Sequence, residues 1–333
     1  MASSPVSGKR RRTSGICLLV IFSLVLGAAS FLGRFHWVLD NLGQFRWQWG
    51  AGFLVLAPLS WWEEWRLKKR PVMAVLCLVM MIVNAALVVR LMPVSQYFRE
   101  AEMPPGRMRF MTANLYHSNP CRECFLETVR KTDPDFLAVQ EVSHNWAASL
   151  EGLRQQLPHR VVKPRYDAFG IGFFSRWPVV SVTQTSHEGD GTFPMLRAVL
   201  ETPAGPVAVM VVHPPPPAGG ELAAIRNHQL QDIADDTALM KAPVVVLGDF
   251  NATPWSPHFR VLEKTGGLHN ALFLPTWPSG IWPLYIPIDH ILVKGLDVLD
   301  NRTARIEGSD HLARVTDVAA QALNGLGRFS PRL

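Results

Sequence analysis

The sequence predicts an α/β domain that follows a membrane-embedded N-terminal region. After three apolar runs near the N-terminus, shorter apolar stretches typical of buried strands alternate with segments of helical spacing. The clearest strand, residues 244–247, has four apolar residues, three of them β-branched, and stops at Gly248. It delivers Asp249 and Asn251, both poor strand formers, to its carboxyl end, where layered α/β folds collect ligands. The alternative is a turn in which these side chains cap their own backbone.

The charge distribution separates the two regions. The chain of 333 residues carries a formal net charge of +6. Residues 1–106 hold 12 Lys and Arg against 5 Asp and Glu, whereas residues 107–333 hold 21 against 22. The basic excess therefore lies beside the apolar runs, where it sets membrane orientation. The net charge of the C-terminal region therefore gives it no overall attraction for a polyanion, and a local basic patch is the alternative.

The apolar runs predict about three transmembrane helices within residues 1–106, over 15–33, 47–62 and 71–92. The first run has 19 residues without a charge and follows the basic residues 9–12. A cleaved signal peptide has a similar basic start but a shorter apolar core. The second run is short and contains Pro58, so a tilted, broken or re-entrant helix is an alternative to a full span. Buried helices of a soluble domain are a further alternative.

Basic residues in the short loops predict the orientation. The N-terminus and the loop at 63–70 each carry four basic residues, which places both in the cytoplasm. Three spans then make the chain a multi-pass protein of the cell (inner) membrane, with an extracytoplasmic, periplasmic C-terminal domain over 107–333. If the second run does not cross, that domain faces the cytoplasm. The proline-containing residues 93–106 are interpreted as a linker.

Cys121 and Cys124 form a C-x-x-C pair in the C-terminal domain. A zinc site would need two further ligands, and no second cysteine pair is present. The pair could form a local disulfide in an oxidising compartment or act as a redox catalyst, with the disulfide favoured.

Apolar runs and helical spacing predict the elements of the C-terminal domain in order. Strands are predicted over 109–115, 136–139, 179–185, 196–201, 207–212, 244–247, 287–293 and 313–318, and helices over 121–132, 144–157 and 221–240. Residues 169–178 are predicted to form a strand that runs into a turn. Prolines at 214–217 end the strand 207–212 directly after His213. Arg197, within a strand, could point at a phosphate.

Polar residues able to bind metal or phosphate recur at the strand ends. They are Asn114, Glu141, His213, Asp249, Asn251, Asp289, Asp310 and His311. Taken singly, each has an ordinary interpretation as a capping Asn, a solvated acid or a hydrogen-bonded core His. Eight such residues, each at a strand end, favour one convergent site.

The chemistry of this set favours phosphate ester hydrolysis. Carboxylates and an Asn carbonyl form an oxygen-rich site that suits Mg²⁺ or Mn²⁺, with Ca²⁺ as a weaker fit, rather than zinc. Two histidines can transfer protons or contact an anionic oxygen near neutral pH. Asp310, adjacent in sequence, or Asp289, nearby in space, could hold the tautomer of His311. A cation, a base and hydrogen-bond donors are the parts that such hydrolysis needs.

The chain resembles the endonuclease/exonuclease/phosphatase superfamily, which includes deoxyribonuclease- and sphingomyelinase-like enzymes, over residues 107 to about 320. The motifs that carry the resemblance, in the family order, are Thr112 to Leu115, Pro134-Asp135 with Gln140-Glu141, Gly172 to Arg176 with Pro178, Gly248 to Asn251, Ile288 to His290, and Ser309 to His311. The resemblance implies a four-layered α/β sandwich (α+β) of two packed mixed sheets flanked by helices.

The resemblance also implies roles for the strand-end residues. Glu141 is the expected chief metal ligand, with Asn114 and Asp310. Asp249 orients or deprotonates water, and Asn251 holds the phosphoryl oxygens. His213 and His311 are expected to contact the phosphate, with Asp310 as the acid–base partner of His311 and Asp289 as a supporting acid. The residues expected to bind substrate are His213, Asn251 and Arg197. The family often has a Thr-His-Leu type sequence where this chain has Val212-His213-Pro214, which puts the local geometry of His213 in question.

Together these features predict a membrane-anchored, divalent-metal-dependent phosphoesterase. It would cleave a phosphodiester or phosphomonoester bond of a lipid head group, a nucleotide or a nucleic acid, with no obligate protein partner evident. One alternative is an extracytoplasmic endonuclease or exonuclease acting on DNA. An alternative of another class is a catalytically silent domain that binds a phosphorylated ligand or a protein, since a fold can be retained after its catalytic activity is lost.

Overall fold

The computed structural model describes residues 14–90, 106–186, 189, 191–241, 243–270 and 273–321. The chain divides into two compact units, Met1–Val89 and Arg90–Leu333, which we describe separately. The basic residues 9–12, the last two residues of the run 71–92 and all of the predicted linker except Gly106 lie outside the described residues.

The N-terminal unit is helical. Its elements are α1 (Gly15–Ala29), a 3-10 turn (Ser30–Leu32), α2 (Trp37–Gly43), α3 (Arg46–Arg66) and α4 (Val72–Arg90). Val20 of α1, Phe53 and Ala57 of α3, and Cys77 of α4 form a shared apolar core. Among the described residues, two helical stretches, Gly15–Leu32 and Val72–Arg90, are long and apolar enough to cross a membrane by length and composition. Since α3 does not meet the same test, a third span stays a prediction.

The second unit contains eleven strands and four α-helices among its described residues. In chain order they are β1 (Met108–Asn114), α5 (Arg122–Thr132), β2 (Phe136–Gln140), α6 (His144–Leu150), β3 (His159–Lys163), β4 (Ile171–Ser175), β5 (Val179–Thr185), β6 (Met195–Thr202), β7 (Gly205–Val212), α7 (Gly220–Leu239), β8 (Val244–Asp249), α8 (Pro257–Gly266), β9 (Asp289–Lys294), β10 (Leu296–Arg305) and β11 (Leu312–Ala320). Cys121 and Cys124, at the start of α5, are disulfide-bonded.

Two mixed sheets pack face to face. The strand order is β10-β11-β1-β2-β4-β3 in one sheet and β5-β6-β7-β8-β9 in the other. One apolar core, which includes Phe110, Phe136, Val209 and Leu247, draws its residues from both sheets. A second core packs α5 and α6 on the first sheet, and a third packs α7 and α8 on the second. The predicted four-layered sandwich is therefore confirmed.

In the second unit the sequence pattern missed three elements and overextended one. Helix α6 ends at Leu150 and continues only as a 3-10 turn over Glu151–Leu153, so the predicted helix 144–157 is too long. β3, α8 and β10 were not predicted. β3 and β10 are edge strands with mostly half-buried residues, so they lack the apolar run that marks a central strand.

A buried carboxylate ties two neighbouring strands of the first sheet. Asp317 on β11 is buried and accepts hydrogen bonds from Arg109 on β1, from Nε at 2.7 Å and from Nη2 at 2.9 Å. Arg107 and Arg302 lie 3.4 and 3.6 Å from the same carboxylate. Burial raises the pKa of Asp317, but the hydrogen bond and charge of Arg109 and the charges of Arg107 and Arg302 outweigh it and lower the pKa below the ordinary 3.8.

We expect Asp317→Asn to lower the free energy of unfolding at neutral pH by about 3 kcal/mol, because it removes the buried charge that the partly buried guanidinium of Arg109 pairs with. A group whose folded-state pKa is depressed stabilises the fold above its unfolded pKa, and this stability is lost as pH falls. The difference from the unsubstituted chain should therefore shrink below pH 3.8. Urea unfolding of the intact chain in detergent measures it. Asp297→Asn, at an exposed position on β10, is the control, and an equal loss there would contradict the prediction.

Candidate active site

The parallel strand pairs bring the predicted site residues to one edge of the sandwich. In the first sheet β1 and β2 are parallel, with Asn114 opposite Gln140, so Glu141 follows beside Asn114. In the second sheet β7 and β8 are parallel, with Val212 opposite Gly248, so His213 and Asp249 follow side by side. Carboxyl ends of parallel strands meet at the same edge, which is why four distant positions of the chain converge.

A side-chain amide connects the two sheets at this edge. Nδ2 of Asn114 donates to Oε1 of Glu141 at 3.1 Å and to Oδ2 of Asp249 at 3.2 Å. Oδ1 of Asn114 accepts from the backbone N–H of Tyr116 at 3.0 Å, which fixes the orientation of the amide. Glu141 and Asp249 therefore belong to one cluster, as the sequence predicted.

Glu141 is held in an unusual backbone conformation. Its φ is +60°, a left-handed value that is uncommon outside glycine and costs free energy. Its second carboxylate oxygen, Oε2, accepts the backbone N–H of His117 at 2.7 Å. The fold thus fixes both oxygens of this carboxylate beside Asn114, although the backbone is strained.

Asp249 is buried at the centre of the cluster. Its Oδ1 accepts the backbone N–H of Asn251 at 2.8 Å, and its Oδ2 lies 3.8 Å from Nε2 of both His213 and His311. Burial, followed by the negative charge of Asp289, raises the pKa of Asp249 to about 7. A carboxylate with this pKa can accept a proton near neutral pH.

His311 forms an ion pair with Asp289. Nδ1 of His311 lies 2.8 Å from Oδ2 of Asp289, and both side chains are buried. Burial alone lowers the pKa of His311, but the charge and hydrogen bond of Asp289, followed by the charges of Asp249 and Asp310, raise it to about 10. Nδ1 therefore donates to Asp289, and Nε2–H points toward Asp249.

Asp310 has a different partner from the one expected. The prediction that Asp310 is the acid–base partner of His311 is wrong in the structure, because the hydrogen-bonding partner of the imidazole is Asp289. Oδ2 of Asp310 instead accepts the indole N–H of Trp277 at 2.9 Å. The side chains of two residues adjacent in sequence point in different directions at the entry to β11, which determines this outcome.

His213 lies in the cluster despite the prolines that follow it. Its side chain is buried, and its ring centroid lies 5.4 Å from that of Phe169. Burial, followed by the positive charge of His311, lowers the pKa of His213 to about 4. At neutral pH the site therefore holds one neutral and one protonated imidazole, whose environments separate their roles.

Asn251 closes the cluster on the side of the second sheet. Its φ is +47°, a left-handed conformation that Asn tolerates better than most residues. Nδ2 donates to the carbonyl oxygen of Pro214 at 3.0 Å. The carbonyl oxygen of Asn251 accepts Nη1 of Arg226 at 3.1 Å, and Arg226 on α7 is fully buried. Sequence reasoning missed Arg226, because an Arg within a helical segment looks like a surface residue.

The structure does not bring Arg197 to the cluster. Its neighbours on β6, Leu196 and Ala198, face the core between the sheets, so Arg197 faces the opposite, helix-covered side. There Nη1 lies 3.2 Å from Oδ2 of Asp236 on α7. The expected contact of Arg197 with a substrate phosphate has no support in this arrangement.

The donor set fits a divalent cation of the Mg²⁺ type. Oδ1 of Asp310 and Oδ1 of Asp289 are buried and have no hydrogen-bond partner among the described residues. Asp249, Asp289 and His311 offer ligand atoms within 4.8 Å of one another. Within this trio, Nδ1 of His311 is already hydrogen-bonded to Oδ2 of Asp289. The ligand set predicted from the sequence, Glu141, Asn114 and Asp310, consists of further oxygen donors and stays a prediction.

Two packed mixed sheets with acids, amides and histidines at one edge define the class of the endonuclease/exonuclease/phosphatase sandwich. The chain belongs to the Endonuclease/Exonuclease/phosphatase family, whose sequence profile matches residues 111–311. This range contains Asn114, His311 and every other residue of the cluster. Enzymes of this family are typically divalent-metal-dependent hydrolases of phosphoester bonds.

Solved structures share the fold at low sequence identity. The human Nocturnin catalytic domain with bound sulfate is 21% identical, with a TM-score of 0.54, over 66% of this chain and 97% of that one. An endonuclease/exonuclease/phosphatase from Bacteroides vulgatus is 19% identical, with a TM-score of 0.54, over 65% and 99%. One from Beutenbergia cavernae is 19% identical, with a TM-score of 0.53, over 65% and 72%. No curated protein sequence matches the chain significantly.

Proposed function

We propose that the chain is a membrane-anchored, divalent-metal-dependent phosphoesterase that hydrolyses a phosphodiester or phosphomonoester bond. The observation that carries this proposal is the geometry around Asp249. The Asn114 amide joins this carboxylate to Glu141, and the Nε2 atoms of His213 and His311 both lie 3.8 Å from its Oδ2. A base, two imidazoles and a candidate cation ligand thus surround one small volume.

Each residue has a role that follows from its environment. Water attacks phosphorus, its proton passes to Asp249, and the bond from phosphorus to the leaving oxygen breaks. His311, held by Asp289, protonates that oxygen through Nε2. Neutral His213 and the Asn251 amide contact the phosphoryl oxygens. A bound Mg²⁺ or Mn²⁺ held by Glu141, Asn114 and Asp310 would supply positive charge beside those oxygens.

The helical unit supports anchoring in a membrane. Helices α1 and α4 expose many large apolar side chains, including Leu18, Phe22, Val79 and Ile82. A soluble unit rarely exposes so continuous an apolar surface, whereas lipid would cover it. The fit of Gly15–Leu32 and Val72–Arg90 to a bilayer by length and composition agrees with this assignment.

The packing of α3 supports a third crossing and an extracytoplasmic catalytic unit. At the start of α3, Nη2 of Arg46 donates to the carbonyl oxygen of Ser30, which follows α1, at 2.7 Å. At its end, Oε1 of Glu64 accepts the backbone N–H of Met73, in the first turn of α4, at 2.8 Å. Helix α3 therefore runs antiparallel to both apolar helices along their length. Three crossings would separate residues 107–333 from the N-terminus.

Hydrolysis should depend on a divalent cation and on Glu141. We expect the intact chain in detergent to hydrolyse bis(p-nitrophenyl) phosphate with Mg²⁺ or Mn²⁺ and to stop in excess chelator. Glu141→Gln removes the ligand charge and should weaken cation affinity about tenfold or more, since loss of even an outer-shell partner costs 10–100-fold. Rate against metal concentration measures this.

Glu151→Gln is the matched control, because Glu151 forms only a surface ion pair with Arg160. Equal rates in chelator, or in the Glu141 variant, would refute the proposal. A chain that neither hydrolyses the ester nor binds a cation by calorimetry would instead favour a catalytically silent domain.

Asn251→Ala should lower kcat on the order of 10²-fold, the usual effect of losing a preorganised donor. Asn251→Gly tolerates the positive φ and removes the same amide, so it separates loss of the donor from backbone strain. Both variants should lose comparable rate under saturating metal. Recovery of full activity in Asn251→Gly would contradict a role for the amide, and Asn145→Ala on the exposed face of α6 controls for unspecific effects.

Protease added to spheroplasts of a bacterial host expressing the full chain should degrade the catalytic unit, because three crossings place it outside. A cytoplasmic marker protein must remain intact in the same sample. Degradation only after lysis would show two crossings and a cytoplasmic catalytic unit, leaving the hydrolytic chemistry unaffected.

A further inference from the structure

A charge-free hairpin lies beside the candidate active site. From Trp277 to Ile288 the sequence contains no charged residue. Trp277 and Ile286 pair as an antiparallel bridge, with N–H···O distances of 3.1 and 2.6 Å, and so close a stem. We refer to residues 278–285, at the end of this stem, as the apolar tip.

The apolar tip exposes three large side chains. Ile281 is 54% exposed, Trp282 80% and Leu284 47%. The turn is held by its own backbone, since the N–H of Leu284 donates to the carbonyl oxygen of Ile281 at 2.8 Å. The hydroxyl of Tyr285 accepts the N–H of Gly280. The apolar side chains are therefore presented by a hydrogen-bonded turn rather than by a frayed segment.

Both the stem and the apolar tip are hydrogen-bonded to the residues that precede β11. The N–H of Ser279 donates to the carbonyl oxygen of Asp310 at 2.6 Å, and its hydroxyl donates to the carbonyl oxygen of Ser309 at 2.8 Å. The Trp277 indole donates to the Asp310 carboxylate at 2.9 Å. Whatever the apolar tip binds is thereby held next to His311 and its neighbours.

We propose that the apolar tip docks into the interfacial layer of a lipid bilayer. Only residues 91–105 separate Arg90 of α4 from the catalytic unit, and a fully extended chain of this length reaches at most about 55 Å. A tethered surface meets the bilayer at a high effective concentration. Trp and Tyr prefer the head-group level, and the absence of charge lowers the cost of burying Ile281 and Leu284 there. The proposal rests on the membrane anchoring proposed above, but not on catalysis.

Quenching of a fluorophore at position 282 tests the docking. The free cysteines of the intact chain are first removed by Cys17→Ala and Cys77→Ala, whereas Cys121 and Cys124 are disulfide-bonded and do not react. Trp282→Cys then provides the site for an environment-sensitive dye. The labelled chain is placed in phosphatidylcholine nanodiscs. We expect the emission to shift to the blue and most of it to be lost when nitroxide-labelled lipid is included, while aqueous iodide has little effect. Leu284→Cys provides a second probe if the first variant does not fold.

Leu239→Cys is the matched control. Leu239 is 83% exposed at the end of α7, and α7 begins near the site, so this position lies at the opposite edge of the sheet. Its label should respond to iodide and not to the lipid quencher. The docking is overturned if the label at 282 behaves like the label at 239, or if both quenchers fail there, which would show a protein contact.

Hydrolysis of bis(p-nitrophenyl) phosphate by the same nanodiscs separates the two proposals. Turnover without lipid quenching at position 282 overturns the docking alone. Lipid quenching without turnover overturns the proposed activity alone.

Discussion

The amide of Asn114 is the interaction on which the site depends. It donates simultaneously to Glu141 of its own sheet and to Asp249 of the other. A half-buried and a buried carboxylate of like charge would otherwise repel and lower the stability of the sandwich edge. The shared donor allows both to remain at hydrogen-bonding distance, and it fixes the separation of the two parallel strand pairs at the place where chemistry would occur.

Burial then assigns different protonation states to similar groups. Asp289 keeps His311 protonated, whereas His213 is buried and has no hydrogen-bonded carboxylate among the described residues, so its pKa is lowered to about 4. The raised pKa of Asp249, about 7, reflects the same desolvation acting on an acid. Groups whose environments push their pKa values apart can serve as acid and base at one pH. Apolar packing in the cores of the sandwich offsets the free-energy cost of burying these groups.

The sequence predicts the convergence well because a strand end is a local feature. Asn114, Glu141 and Asp249 each follow an apolar run, and the structure brings them together. The choice between Asp310 and Asp289 as the partner of His311 could not be made in this way, because it depends on the register in which Asp289 pairs opposite Asp249. Local sequence does not determine such a register, since it is set by contacts between distant strands. The side of β6 that carries Arg197 was predictable, because the apolar residues on either side of it already mark the core face.

In the proposed arrangement both units bind lipid, and the net charge of the catalytic unit contributes little to this binding. Residues 107–333 have 21 basic against 22 acidic residues, so counterion release from a polyanion offers them little affinity. In the proposed arrangement the apolar helices and the apolar tip both lower their free energy in lipid, and hydrogen bonds from Trp277 and Ser279 transmit that placement to Asp310. Selectivity would then arise from which phosphate esters come within reach of the membrane surface, a constraint that the shape and charge of the cluster alone do not impose.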